Sequence, residues 1–331
     1  MRRRNFTIGL LLASATGVLA QEPAKQHRIA IVIASGPVAR INDPASHAWQ
    51  AFWEELRRLG DVEGQNLIVE RYSGEGRPAG YADLAREVVS KNPDVIVPIG
   101  PTITQAVHAA TATIPLVASG AYTGLGVVPS LARPGGNITG ITVGVGWESE
   151  INGKRLQILK EAVPSASNVA VLAMRSGWEG ADGQRFREGG RRLAISLIGM
   201  PLEESTPSEY QRVFGEIAQQ RPDAMVVSDV SQLFPYRQLI VELAEKSRLP
   251  AIYGYREYVE VGGLMAYGPD LAELWRRLAN DLHEVLNGTK PGDIPIYQAT
   301  KFELLINLKS AKALGLEISP TLLGLAEEVI E

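Results

Sequence analysis

Residues 92–104 read NPDVIVPIGPTIT, and residues 221–234 read RPDAMVVSDVSQLF. Each stretch opens with Pro-Asp, continues as an apolar run without alternation, and breaks at small or polar residues. A short unalternating apolar run is the pattern of a strand buried on both faces, as in a parallel sheet covered by helices. Helix-forming sequence follows each run, and then a proline opens the next one: Ile114-Pro115-Leu116-Val117 and Leu249-Pro250-Ala251-Ile252. Two α/β lobes of similar design are the economical reading, although any two βαβ units share this much pattern.

The same alternation extends on both sides. Arg28–Ala34 is expected as a strand, and SHAWQAFWEELRRL (46–59) spaces its apolar residues as a helix. NLIVERY, DVIVPI and IPLVAS read as strands, with helices over 78–90 and 102–112. ARPGGNITGITVGVGW (132–147) is glycine-rich and breaks the rhythm, which marks a crossing between lobes. A second run follows: helix 148–162, strand NVAVLAM, helices 183–195 and 208–220, then strands DAMVVS and PAIYGY. One more long helix, 271–286, precedes an extended PIYQAT and a strand–helix–helix tail. At 331 residues the length also suggests two domains. The expected class is α/β, with two Rossmann-like lobes of parallel sheet joined by hinge strands.

The amino terminus has its own pattern. MRRR is a basic segment, FTIGLLLASATGVLA is apolar, and Val18-Leu19-Ala20 precedes Gln21 as a cleavage site would. Residues 1–20 are expected to be a secretory signal peptide. Roughly 15 apolar residues fall short of the ~20 that span a bilayer. Arg3-Arg4-Asn5-Phe6 contains the arginine pair of twin-arginine signals, a pair that any basic segment can contain. Residues 1–20 carry three arginines and no acid, so without them 30 basic residues face 37 acidic ones, a formal charge of −7. That balance argues against nucleic acid or an anionic membrane as partner. The chain has no cysteine, hence no disulfide, no thiolate metal site and no lipidated cysteine behind the signal. A periplasmic protein that is not a lipoprotein is expected.

Motifs for chemistry are missing. His27, His47, His108 and His283 are scattered, without the spacing of a metal site. Neither a G-x-S-x-G elbow nor a G-x-x-x-x-G-K-[ST] phosphate loop occurs. Gly124-Leu125-Gly126 and Gly144-Val145-Gly146 are partial dinucleotide fingerprints that follow no first strand, and read as turns. No catalytic residue, metal or cofactor is expected.

Strand ends remain, where open parallel sheets bind ligands. In the first lobe these carry Ser35-Gly36, Gly100-Pro101-Thr102 and Ser119-Gly120-Ala121-Tyr122. In the second they carry Arg175-Ser176-Gly177-Trp178, Ser228-Asp229 and Tyr253-Gly254-Tyr255-Arg256. Small, hydroxyl, aromatic and charged residues of this kind suit a small-molecule site, though serine and glycine also populate plain turns. Gly100 as N-cap and Pro101 at the first helical position would leave the amides of Thr102 and Ile103 free for a carboxylate, with the Thr102 and Thr104 hydroxyls beside them. No lysine follows to hold a polyphosphate.

From residue 299, ATKFELLINLKSAKALGLEISPTLLGLAEEVIE resembles the closing segment of the ABC transporter substrate-binding family that includes tryptophan- and tyrosine-type binding proteins. The likeness continues upstream through LPAIYGYREYVEVGGLMAYGPDL, SLARPGGNITGIT, GKRLQILKEAVP and LGDVEGQNLIVERYS, so it spans nearly the whole chain after residue 20. The resemblance implies a type I periplasmic-binding-protein fold, with one lobe from 28–141 plus about 268–292 and the other from 142–267 plus about 293–331. It implies a solute-binding protein that captures an amino acid, aromatic or other small carboxylate by hinge closure. Delivery would be to ABC permease subunits, by a monomer. By position Asp229 is the candidate for a ligand ammonium, and Tyr253, Tyr255 and Trp178 for an aromatic or apolar group. Where relatives commonly show Gly-Asp-Pro after IPLVA, this chain reads SGAYTGLG, without the acid. The candidate site is therefore Ser35, Gly36, Gly100, Thr102, Ile103, Ser119, Tyr122, Arg175, Trp178, Ser228, Asp229, Tyr253 and Tyr255. A ligand-presenting sensory protein and a secreted α/β enzyme are the alternatives, the latter lacking a visible nucleophile–base pair.

Overall fold

The computed structural model describes residues 26–44, 46–120, 126–142 and 147–331, the side chains of 147–149 excepted. The first run is β1 (His27–Ile33), α1 (His47–Leu59), β2 (Leu67–Ser73), α2 (Tyr81–Ser90), β3 (Val95–Ile99), α3 (Pro101–Ala110), β4 (Leu116–Ser119) and β5 (Ile138–Thr142). The second begins with α4 (Trp147–Ala162), β6 (Asn168–Met174), α5 (Arg175–Glu179), α6 (Ala181–Arg192), β7 (Ser196–Leu202) and α7 (Pro207–Gln220). It continues with β8 (Ala224–Val227), α8 (Arg237–Lys246), β9 (Ala251–Tyr253), α9 (Arg256–Glu260) and β10 (Met265–Pro269). The remainder is α10 (Leu271–Leu286), β11 (Tyr297–Gln298), β12 (Phe302–Asn307), α11 (Leu308–Leu314), α12 (Pro320–Gly324) and β13 (Glu328–Ile330).

Among the described residues, one sheet runs β11-β5-β4-β3-β1-β2 and the other β13-β12-β10-β9-β8-β6-β7. Strands of the two runs, numbered one to five within each lobe, follow the same order, 2-1-3-4-5. The paired sequence stretches occupy the same place in both, β3 and β8. Their likeness has a physical basis. Asn92 and Arg221 both take a left-handed φ of 50°, which ends the preceding helix. The aspartate two residues later then ties its strand to the first strand of the lobe. Asp94 Oδ2 accepts from the Arg28 amide at 2.7 Å, and Asp223 Oδ2 from the Asn168 amide at 2.8 Å.

The helix after each fifth strand crosses to the other lobe. α4 follows β5 but packs on α6 in the second lobe, and α10 follows β10 but packs on α1 in the first. Asp270 caps α10 by accepting from the Glu273 amide, and Leu274, Leu278 and Leu282 lie on one buried face. Each leucine buried there contributes about 2 kcal/mol. Trp49, Phe52, Trp53 and Trp275 fill the seam between α1 and α10 as an edge-and-stack cluster.

Three differences from the sequence reading stand out. The stretch 132–147 is not all crossing, because Ile138–Thr142 forms β5 between β4 and β11. Its glycine is a packing requirement: Gly140 has φ +132°, and a Cβ there would lie 2.0 Å from the Ala118 carbonyl oxygen. β7 (SLIGMPL) is a further strand at a sheet edge, where Gly199 and Pro201 interrupt the apolar run that marks the central strands. The last crossing falls at 299–301 rather than about residue 293, because Tyr297 and Gln298 pair with Ile141 and Thr142 in the first sheet. That crossing is clasped to the one at Asp270, whose amide donates to the Lys301 carbonyl at 3.1 Å and whose carboxylate meets Lys301 Nζ at 2.7 Å.

Candidate ligand cleft

Between the lobes lies a cleft of about 330 Å³ walled by strand ends from both sheets. On the first lobe, Gly100 takes φ +115°, which only glycine adopts without strain, and turns β3 into α3. Its amide donates to the Ser119 carbonyl at 2.7 Å, locking the ends of β3 and β4 together. Pro101 occupies the first helical position, and helix geometry leaves the next amides, Thr102 and Ile103, without an intrahelical acceptor. Gly100, Thr102 and Ser119 line the cleft, whereas the Ile103 side chain is fully buried in the core. The Thr104 hydroxyl, expected to face ligand, instead donates to the Gly100 carbonyl at 2.7 Å and is buried.

The facing wall is built around Asp229, two residues beyond the end of β8. Ser228 donates its amide to the Leu172 carbonyl at 2.9 Å, and the Tyr255 hydroxyl donates to the Asp229 carbonyl at 2.9 Å. The Asp229 carboxylate, 35% exposed, is held by Arg155 Nη1 at 3.0 Å, and that guanidinium is 0% exposed. Asp182, in the first turn of α6, faces the same cleft and pairs with Arg185 at 2.8 Å. Burial raises the Asp182 pKa, Arg185 opposes the rise, and the charge on Asp229 adds to it. Among the described residues, the lining carries these two carboxylates and no cationic side chain. One end of the cleft opens into a smaller hollow of about 140 Å³ walled by Trp49, Phe234, Tyr255 and Trp275. The lobes touch beside that hollow, with Arg40 over the Phe234 ring at 4.9 Å and His47 Nε2 at 3.2 Å from Glu260 Oε1.

The expected residues divide accordingly. Gly100, Thr102, Ser119, Ser228, Asp229 and Tyr255 line the cleft, and Ser35 lines the hollow. Gly36 sits beside them, where a Cβ would meet Arg40 and Pro235. Besides the buried Ile103 side chain, three more are not brought to the cleft. Arg175 points to the surface and pairs with Glu179 and Glu203. Trp178 covers Gly199, where a Cβ would lie 2.1 Å from its ring, and the Arg187 guanidinium lies over that ring at 4.8 Å. Tyr253 is 1% exposed and stacks on Tyr258 at 4.7 Å, so it is a core residue. Tyr122 lies outside the described residues. Arg155, Asp182, Trp49 and Trp275 were missed because each sits on a helix, where sequence alone reads a charged residue as solvated and a tryptophan as core.

Two α/β lobes whose strand ends wall a largely apolar cleft with a few polar groups suit the capture of a small solute, and comparison with known proteins agrees. The profile of a family described as ABC transporter substrate binding protein matches residues 38–330, and the chain belongs to that family. It is similar to a tyrosine-binding protein of Clostridioides difficile (strain R20291), with 23% identity over 273 residues, covering 82% of this chain and 77% of the relative. The fold matches that of an ABC domain in complex with L-Trp from Streptococcus pneumoniae, at a TM-score of 0.79 and 20% identity, covering 92% of this chain and 100% of the other. It also matches the ligand-free, open structure of a substrate binding protein with adhesive properties from Clostridium difficile, at a TM-score of 0.62 and 20% identity, covering 92% and 99%. Among the described residues, no helix is long and apolar enough to cross a membrane.

Proposed function

We propose that the protein captures a zwitterionic amino acid with an apolar or aromatic side chain in the interlobe cleft and delivers it to an ABC permease. The supporting observation is the distribution of charge across the cleft. Asp229 and Asp182 offer negative charge on one wall, and the α3 amino terminus offers free amides and a positive dipole end on the other. An ammonium and a carboxylate on one small molecule would satisfy both walls at once. The Trp49–Trp275 hollow would receive the side chain. Contacts to both lobes from one ligand favour the closed arrangement over the open one. Export through residues 1–20 and action as a periplasmic monomer belong to the same reading.

A thermal-shift screen of the twenty amino acids, with deaminated and decarboxylated counterparts, tests it. Ligand in excess over its Kd raises the melting temperature. Tryptophan, tyrosine or another apolar amino acid should raise it, and tryptamine and indole-3-propionate should do so less. A response to carboxylates without an amine, and none to amino acids, would reject the proposal.

A further inference from the structure

We propose that Arg155 is the positioning residue for ligand capture: it holds Asp229 in the orientation that receives the ligand's ammonium, and so rests on the amino-acid reading above. Arg155 lies in the middle of α4 and is fully buried. A buried guanidinium is costly, and an apolar side chain of similar volume commonly serves stability as well or better. Its bonds indicate what it is for. Nε donates to the Tyr267 carbonyl at 2.7 Å, and Nη1 donates to Asn152 Oδ1 at 3.2 Å and to Asp229 Oδ2 at 3.0 Å.

Those partners come from three elements. Asn152 is on α4, the first helix of the second run, and Tyr267 is on β10, just before the crossing at Asp270. Asp229 follows β8 by two residues and faces the cleft. One guanidinium thus fixes the cleft carboxylate to α4 and to β10, the strand that precedes the crossing at Asp270. The surrounding backbone is cut to fit it. A Cβ at Gly254 would lie 2.6 Å from Asp229 Cβ and 3.1 Å from Arg155 Nη2, and one at Gly268 would lie 1.8 Å from the Gly254 carbonyl oxygen. Without Arg155, the charge of Asp182 on the same wall would push the Asp229 carboxylate away, and the bond that holds it would be lost. With it, one oxygen is engaged by Arg155 while the carboxylate stays partly exposed to the cleft.

The test is calorimetric titration of L-tryptophan and of indole-3-propionate, its deaminated counterpart, into wild-type, Arg155→Met, Arg155→Lys and Asp229→Asn proteins. The Met variant should lose at least about tenfold in affinity for L-tryptophan while holding indole-3-propionate within about threefold. Lysine should restore part of the difference, since it keeps the charge but not the planar fork. In the Asp229→Asn background, Arg155→Met should cost L-tryptophan nothing further. Equal losses for both probes would show a merely structural role and overturn the proposal, as would undiminished L-tryptophan binding by Arg155→Met. Should the Met variant fail to fold, the Lys variant must still show the selective loss, and the lack of one overturns the proposal. A wild-type protein that binds indole-3-propionate but not L-tryptophan overturns the amino-acid reading itself, and with it the role given to Arg155.

Discussion

Ser35 Oγ, at the end of β1, donates to the carbonyl of Ser231 in the opposite lobe at 3.0 Å. The bond crosses the mouth of the hollow that adjoins the cleft, so it exists only while the lobes are apposed. His47–Glu260 and Arg40–Phe234 lie on the same side. Exposed pairs of this kind contribute little each, about 0–1 kcal/mol. Ser35→Ala should therefore weaken ligand binding by only a few-fold while shifting the unliganded population toward open. Small-angle scattering of the unliganded variant checks this, and an unchanged radius of gyration would count against the contact as a closing element.

Thr104 anchors the start of α3 through its buried hydroxyl bond to the Gly100 carbonyl. Thr104→Val keeps the shape but leaves that bond unmade, which should cost about 1 kcal/mol of stability. Because the bond fixes the helix start facing the cleft, ligand affinity should fall as well. Denaturant unfolding and ligand titration of the same variant separate the two effects.

Gly100-Pro101 and Ser228-Asp229 were legible in the sequence because strand ends in parallel sheets carry ligands, and each pair follows a clear apolar run. Tyr253 and Trp178 were not, because nothing in a sequence tells which way an aromatic at a strand end turns. Tyr253 turns inward to Tyr258, and Trp178 onto Gly199. Arg155 looks like any cation on a surface helix until α4 is seen wedged against β9 and β10. The two glycines that make room for it, Gly254 and Gly268, are the trace it leaves in the sequence. β5 was hidden by Gly140, whose meaning depends on the neighbouring strand.

Asp229→Ala removes the partner of a buried guanidinium. The cost should appear in the unliganded protein as a loss on the order of 3 kcal/mol, in addition to weaker binding of any aminated ligand. Asp229→Asn, which can still accept from Arg155, should lose binding with a smaller loss of stability. Thermal denaturation of both variants without ligand distinguishes them, and equal melting temperatures would contradict the pairing.

Burial raises the carboxyls of Glu257, Asp281 and Glu303, each to about 7. Their unfolded values lie near 4, so the stability they contribute is complete below about pH 4 and is lost as pH rises through about 7. Glu55 and Glu209 are held down to about 2, chiefly by hydrogen bonds from Arg58 and Arg212. Their contribution is present above about pH 4.5 and is lost as pH falls toward 2. The opposite slopes of these five groups balance near pH 4, and above it the raised carboxyls dominate. The melting temperature should fall by a few degrees between pH 5 and pH 8. Asp281→Asn should flatten that decline, and a rise in melting temperature over the same range would contradict the assignment.

The central claim is that a small amino acid bound between the lobes holds them closed. The chain has no cysteine, so a Val38→Cys/Gln238→Cys double variant can be spin-labelled cleanly, one label on each lobe beside the Arg40–Phe234 contact. Pulsed dipolar spectroscopy would then measure the interlobe distance with and without saturating L-tryptophan. A broad or long distance distribution that collapses to one short distance on adding ligand is the predicted result. An unchanged distribution under saturating L-tryptophan would contradict the account.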